Sequence, residues 1–296
     1  MLSSDQISAF LSVIEEGSFQ LAAKRLHVTS SAVSQRIKLL EEVVGQVLLE
    51  RASPCMPTAA GSALLAYARQ SAHLEEDALR KIQNNRDLAG SSTKVCIVVN
   101  ADSLATWFLP ALQDLALSGV QFDIQIEDQD FSSELLQSGR AIGVITSKAT
   151  PAPGCRSVKL GAIEYLAVAS SKFKKKFFSK GVTAEALGSA PTLIFNRKDD
   201  LQHRYLRMIT KRKVSPPVHY LPSSNAFVSA AILDLGWGMN PRSLVSEQLK
   251  KGDLVEIIPD SPLMVNLYWQ HWNLDTELIK RLSVSIIDAA NKALNP

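Results

Sequence analysis

Two sets of polar residues in this chain are placed where they could do chemistry, and in both the chemistry is recognition. The first lies in SFQLAAKRLHVTSSAVSQRIKLLEE, residues 18–42. Between Ser18 and Leu40 the charged residues are Lys24, Arg25, Arg36 and Lys38, a local charge of +4 with no acid among them, which suits a phosphate backbone. Ser30, Ser31, Ser34 and Gln35 are short hydroxyl and amide side chains that let a helix sink close to base edges, while Arg36 and Lys38 can reach phosphate or guanine. Arg51, shortly beyond, extends this candidate DNA-binding set. The second set comprises Asp102, Ser103 and Thr106 in NADSLAT, Glu127 and Asp128 in FDIQIEDQD, Thr146 closing IGVIT, and Asp199 and Asp200 ending TLIFNRKDD. Hydroxyls and free backbone amides could hold a carboxylate, and acids in a stretch with no base from Val120 to Glu134 could neutralise a cationic side chain. Each feature also has a plainer reading: a solvated outer helix face, an ordinary N-cap at Ser103, a solvated acidic loop.

The elements that must position these residues follow from periodicity. Ile7, Phe10, Leu11 and Ile14 predict a first helix ended by Gly17, and Ser18 is placed to cap the next. After a turn around Leu26 to Thr29, Val33, Ile37 and Leu40 fall on one side of a helix to be packed, leaving Ser31, Gln35 and Lys38 outward. This is the pattern of a helix-turn-helix reading head. Thr58 to Leu88 predicts a long helix with an apolar stripe at Leu64, Ala68, Leu79 and Ile82, broken by Glu75, which a lone helix cannot bury. A linker is expected over Asp87 to Lys94. Beyond it VCIVV, FDIQIE, IGVIT and YLAVAS read as strands alternating with helices at Pro110–Leu117, Ser132–Gln137 and Ala184–Leu187. TLIFN, a helix over Leu201–Ile209, HYL, a helix over Ser224–Leu233, VNLYWQHW and a final helix over Thr276–Leu294 make a second unit. Such alternation argues an open α/β sheet, whose ligands sit at strand C-termini, where NADSLAT and Thr146 both fall.

Composition excludes several classes. The 296 residues exceed one ordinary core, and 46% hydrophobic content argues against disorder. No apolar run reaches the ~18 residues of a membrane span, and no secretory signal opens the chain, so a cytoplasmic protein is expected. Net charge is +3, yet residues 1–90 hold nine Lys or Arg against ten Asp or Glu, so attraction to nucleic acid has to be local. Cys55, Cys96 and Cys155 lack Cys-x-x-Cys spacing, and His27, His73, His203, His219 and His271 show no metal-ligand spacing. With no G-x-S-x-G, P-loop or dinucleotide glycine pattern, neither enzyme, metal nor cofactor is indicated.

AAKRLHVTSSAVSQRIKLLEE, followed by a Gly and a wing over Val47–Gly61, VLLERASPCMPTAAG, resembles the LysR-type transcriptional regulators. NADSLATWFLPAL at 100–112, SSAVSQRIKLLE and IEDQD at 126–130 are similar to the lysine- and arginine-responsive subgroup called ArgP or LysG. The resemblance implies an α/β chain with an N-terminal winged helix-turn-helix over 1–58, a long linker and dimerisation helix over 59–90, and a two-lobed, periplasmic-binding-protein-like effector domain over 91–296. Lobe I is expected near 91–168 and 266–296, lobe II near 169–265. It further implies an antiparallel linker coil, a homodimer or homotetramer, a double-stranded DNA operator and a basic amino acid as effector, with RNA polymerase a further candidate partner. The family usually has Gln in place of Ser30 and a second basic wing residue in place of Met56. Two alternatives stay open: a solute-binding transport protein, and a regulator of the same family answering another ligand or a redox signal, for which Cys155 is the candidate thiol.

Overall fold

A computed structural model describes residues 2–50, 52–82, 94–126 and 129–294, with backbone alone at 129–132. Arg51, Glu127, Asp128 and the linker read over 87–93 therefore lie outside the described residues. The N-terminal unit contains α1 (Ser4–Glu16), α2 (Phe19–Arg25), α3 (Ser30–Val44) and a hairpin of β1 (Leu49–Glu50) and β2 (Met56–Pro57), and runs into α4 (Ala59–Ile82). Helix ends obey local chemistry: Gly17 closes α1 in the left-handed region at φ 70°, and the Ser18 hydroxyl accepts the Leu21 N–H at 3.1 Å. His27 also takes a left-handed φ, 54°, which turns the chain between α2 and α3 without glycine. Thr29, not the serines after it, caps α3 by accepting from Ala32 N at 3.2 Å. Phe10, Val13, Ala22, Val33, Ile37, Leu40 and Leu48 close a core that also takes Leu65 of α4, so the start of α4 is fixed to the reading head.

The second unit begins with β3 (Lys94–Val99), α5 (Ala101–Thr106), a 3-10 turn at Leu109–Leu112, α6 (Gln113–Leu117), β4 (Gln121–Ile126), α7 (Gln129–Gln137), β5 (Gly143–Thr146) and β6 (Cys155–Ala169). It continues with α8 (Ser171–Phe178), α9 (Ala184–Ser189), β7 (Thr192–Ile194), α10 (Leu201–Thr210), β8 (Val218–Tyr220) and α11 (Ser224–Ile232). β9 (Gly238–Pro241), α12 (Arg242–Lys251), β10 (Val255–Glu256), β11 (Leu263–Trp272) and α13 (Glu277–Leu294) complete it. One sheet runs through both lobes in the order β10-β6-β11-β5-β3-β4, with β9 also on β6. β3 pairs in parallel with β4 and β5, as crossover helices demand.

The crossing is made by β6 and β11. Cys155–Lys159 of β6 pairs with Tyr268–Trp272 in the first lobe, whereas Tyr165–Val168 pairs with β9 in the second, and the ladder shifts register at Leu267/Tyr268. Only the YLAVAS end of β6 is legible as a strand in the sequence, because the preceding residues are charged and do not alternate cleanly. The lysine run Lys172–Lys176 lies in helix α8, which buried Phe173 and Phe178 anchor. β9 and α12 escape sequence reading, since GMNP is short and carries Pro.

The long helix leaves the later part of its apolar stripe unburied within the chain. Leu79 and Ile82 are 52% and 77% exposed, while Gly61, Leu65, Ala68 and Asp77 are buried. Gly61, Leu65 and Ala68 pack on the reading head, and beyond them α4 docks on its own effector lobe. Asp77 accepts the Glu277 N–H at the start of α13 at 3.0 Å, Arg69 donates to the Ser138 carbonyl at 3.0 Å, and His73 meets Trp272 edge-on at 5.3 Å. Tyr67, Leu74, Leu79 and Ile82 remain on the outside. No helix among the described residues is long and apolar enough to cross a membrane.

Candidate nucleic-acid interface and inter-lobe cleft

α3 buries Val33, Ile37 and Leu40 against α1 and α2, and this packing holds Ser30, Ser31, Gln35 and Lys38 exposed, with Ser34 and Arg36 half-exposed. The surface is therefore one continuous polar helix face of the size a major groove accepts. Its charge is not free of acids. Arg25 pairs with Glu15 at 2.6 Å and Glu16 at 3.1 Å, Arg36 with Asp5 at 3.0 Å, and Lys38 with Glu42 at 3.8 Å. Lys24 makes no ion pair among the described residues. The isolated stretch reads as +4 because three of these acids come from α1. Such exposed pairs are worth little in water, so each base can exchange its carboxylate for a phosphate.

The second site is the cleft between the lobes, a cavity of about 1130 Å³. β3 delivers Asn100 to the sheet edge, where its Oδ1 accepts from Ser103 N at 2.7 Å and so starts α5. That arrangement corrects the N-cap reading of Ser103: Asn100 is the cap, and the Ser103 side chain is turned into the lobe with its hydroxyl unpartnered. Thr106 donates its hydroxyl back to the Asp102 carbonyl at 2.6 Å. Neither Ser103 nor Thr106 lines the cleft; Asp102, Thr146, Asp199 and Asp200 do. Thr146 is buried and accepts the Lys148 N–H at 3.2 Å.

Asp102 is the acid best placed to act. It accepts the Tyr165 hydroxyl at 2.6 Å, and protein surrounds it on most sides although part of its surface reaches the cleft. Burial raises its carboxyl above the usual range; Tyr165 and the nearby Ser224 hydroxyl pull the other way, Ser224 from a position short of a formed hydrogen bond. Burial also pushes the Tyr165 phenol well above its ordinary value, so it stays a donor. Asp199 has both oxygens engaged, accepting from Phe195 N at 3.1 Å and Leu201 N at 3.0 Å, which makes it the organiser of the loop entering α10. Asp200 is exposed, 3.7 Å from Arg207.

Several cleft residues lie outside the sequence-read set: Tyr165, Gln202, Arg204, Ser224 and Asn240. Gln202 is 1% exposed with both amide atoms unpartnered. These groups come from separate strands and helices, so no local motif announces them. Burial pushes the Cys96 and Cys155 thiols up to about 11, which leaves little thiolate for redox chemistry. Among the described residues no group of three or more His, Cys, Asp or Glu could hold a metal.

Residues 4–62 match the bacterial regulatory helix-turn-helix protein, lysR family, and residues 89–284 match the LysR substrate binding domain. The chain belongs to the LysR family. Neither matched domain of this LysR-family chain is a catalytic one, and the helix-turn-helix match separates it from solute-binding transport proteins. It is 45% identical over 290 residues to the transcriptional regulator LysG of Mycobacterium tuberculosis, covering 98% of this chain and 94% of that protein. The structure of ArgP from Mycobacterium tuberculosis superposes with a TM-score of 0.90 at 44% identity, covering 98% of both chains. Full-length LysG from Corynebacterium glutamicum with bound effector Arg gives 0.82 at 32% identity, covering 99% of this chain and 100% of that one. The winged helix-turn-helix, helical linker and two-lobed α/β effector domain are thus the LysR architecture.

Proposed function

We propose that this LysR-family regulator binds a basic amino acid, L-lysine or L-arginine, between its lobes and thereby modulates operator binding or activation. The observation that carries the reading is Asp102, a carboxyl held at the cleft by Tyr165 with no cation paired to it among the described residues. A ligand cation would supply the missing partner. The arginine-bound relative from Corynebacterium glutamicum supports the ligand class. Thr146, Asp199 and Asp200 are proposed to border the same ligand, Glu127 and Asp128 stay candidates, Thr106 bonds back within α5, and Ser103 turns into the lobe away from the cleft. The proposed division is a winged helix-turn-helix over 1–58, a linker over 59–90 and an effector domain over 91–296. The protein is proposed to act in the cytoplasm, without catalysis. Calorimetric titration of the full chain with L-lysine and L-arginine tests the ligand: absence of heat from both would leave only the family assignment.

DNA is proposed to be held by Ser30, Ser31, Ser34, Gln35, Arg36, Lys38 and Arg51. Gln35→Ala is expected to cost ~1–3 kcal/mol at the operator and relax base preference, because Gln35 is exposed at the centre of the free face of α3. Arg36→Ala should weaken binding to every sequence and flatten the salt slope, and Asp5→Asn, which frees Arg36, should do the opposite. Gel-shift titrations at several salt concentrations read both effects. Unchanged specific and non-specific affinity in Gln35→Ala would reject this docking face.

The outer stripe of α4 is proposed to pair with a second copy. Leu79→Glu with Ile82→Glu should yield smaller species and poor operator binding, since two half-sites would no longer be spanned together. Native mass spectrometry checks this, and a monomeric wild type at micromolar concentration would count against it.

A further inference from the structure

A second cavity, of about 690 Å³, lies where the reading head, the linker helix and the first effector lobe meet. α1 and α2 contribute Leu11, Glu15 and Arg25 to its wall, and α4 contributes Arg69, His73 and Glu76. The effector lobe adds Asp123 and Arg140 with an apolar wall of Val95, Ile142 and Trp272.

The ionic groups here do not balance. Each acid is already taken: Glu15 pairs with Arg25 at 2.6 Å, Asp123 with Lys94 at 3.8 Å, and Glu76 with Arg80. Two guanidiniums are left. Arg69 is half-buried and spends one N–H on the Ser138 carbonyl at 3.0 Å, and Arg140 has no acid partner among the described residues. Burial disfavours the Arg69 cation most; the Glu15 carboxylate, itself paired with Arg25, pulls the other way, and the like charge of Arg140 adds to the effect of burial. His73, desolvated against Trp272, is held toward its neutral form and offers no counter-charge. A half-buried guanidinium is costly to dehydrate, and the exposed Arg140 beside it adds positive charge with no acid partner among the described residues, so an incoming anion is favoured by bidentate hydrogen bonding. The apolar wall opposite favours an anion that carries a hydrocarbon body.

We infer that the cavity between reading head, linker helix and first effector lobe is a binding site for a small organic carboxylate, held by Arg69 and Arg140. It is separate from the inter-lobe cleft and does not rest on the basic-amino-acid reading. Because its walls come from all three parts of the chain, a bound acid stabilises this mutual arrangement and biases how the reading heads are presented.

The test is calorimetric titration of the full-length protein with succinate, and separately with inorganic phosphate, alongside L-arginine as a control. Succinate is expected to bind the wild type and to lose about tenfold or more in affinity in both Arg69→Gln and Arg140→Gln, with L-arginine binding unchanged. Arg140 is exposed, so its variant keeps the test readable if Arg69→Gln is unstable. Four results overturn the inference: no heat with succinate, binding of phosphate alone, wild-type succinate affinity retained in both variants, or competition between succinate and L-arginine. Succinate binding without any L-arginine binding supports this site while removing the ligand proposed for the cleft.

Discussion

Asp102→Ala is expected to cost roughly 2–5 kcal/mol in L-arginine affinity, because truncating one partner of a desolvated charge pair leaves the other unpaired. Operator binding without ligand should persist, since α3 and its supports lie in a separate core. Asp102→Asn keeps the shape and the Tyr165 contact but removes the charge, so it should lose nearly as much affinity. The pH dependence has a defined sign. Burial raises the Asp102 pKa in the folded protein, so the group holds its proton more tightly folded than unfolded. Ligand-free stability therefore falls as pH rises from the ordinary carboxylate pKa through the raised one. A cationic ligand needs the carboxylate, so affinity should weaken as pH falls through that raised value, with proton release on binding just below and around it. Titrations in buffers of different ionisation enthalpy measure the released proton. Wild-type affinity and pH profile in Asp102→Asn would remove Asp102 from the site and move the negative charge to Glu127, Asp128 or Asp200.

Gly143→Ala should destabilise the effector domain by about 3 kcal/mol, the upper end of ordinary overpacking. A Cβ built on Gly143 would fall 2.0 Å from Cη2 of Trp269 and 2.6 Å from two more ring atoms. The indole cannot swing aside freely: it is buried, and its Nε1 donates to the Ser283 hydroxyl of α13 at 3.0 Å. Nor can the backbone withdraw, because Gly143 lies between Ile97 of β3 and His271 of β11 in the sheet. For a domain of this size each kcal/mol lowers Tm by roughly 2–4 °C. Adding Trp269→Leu should recover part of the loss, since it empties the space the methyl enters. Urea unfolding of the single and double variants decides; a single variant within about 0.5 kcal/mol of wild type would show that the ring is not the constraint.

What could be read before folding is what short-range chemistry controls. The spacing of Val33, Ile37 and Leu40, the cap at Ser18, the stop at Gly17 and the apolar runs of β3, β4 and β5 each involve neighbours within a turn or a strand, so their identity suffices. The reading head was legible for that reason, as was the alternation that makes the two lobes. Ser103 shows the limit: its type suits a cap and a ligand contact equally, and only the rotation of α5, with Asn100 taking the cap, turns it inward.

The two sites depend on contacts that no window along the chain contains. Asp5 meets Arg36 across 31 residues, Tyr165 meets Asp102 across 63, and Asp77 meets the start of α13 across 200. Residue types, periodicity and caps in the sequence determined a helix-turn-helix joined to an α/β effector domain. Which bases are countered, which acid is desolvated enough to want a ligand cation, and which face of α4 stays open were decided by the tertiary structure, because charge balance and dehydration depend on what packs alongside a group in space.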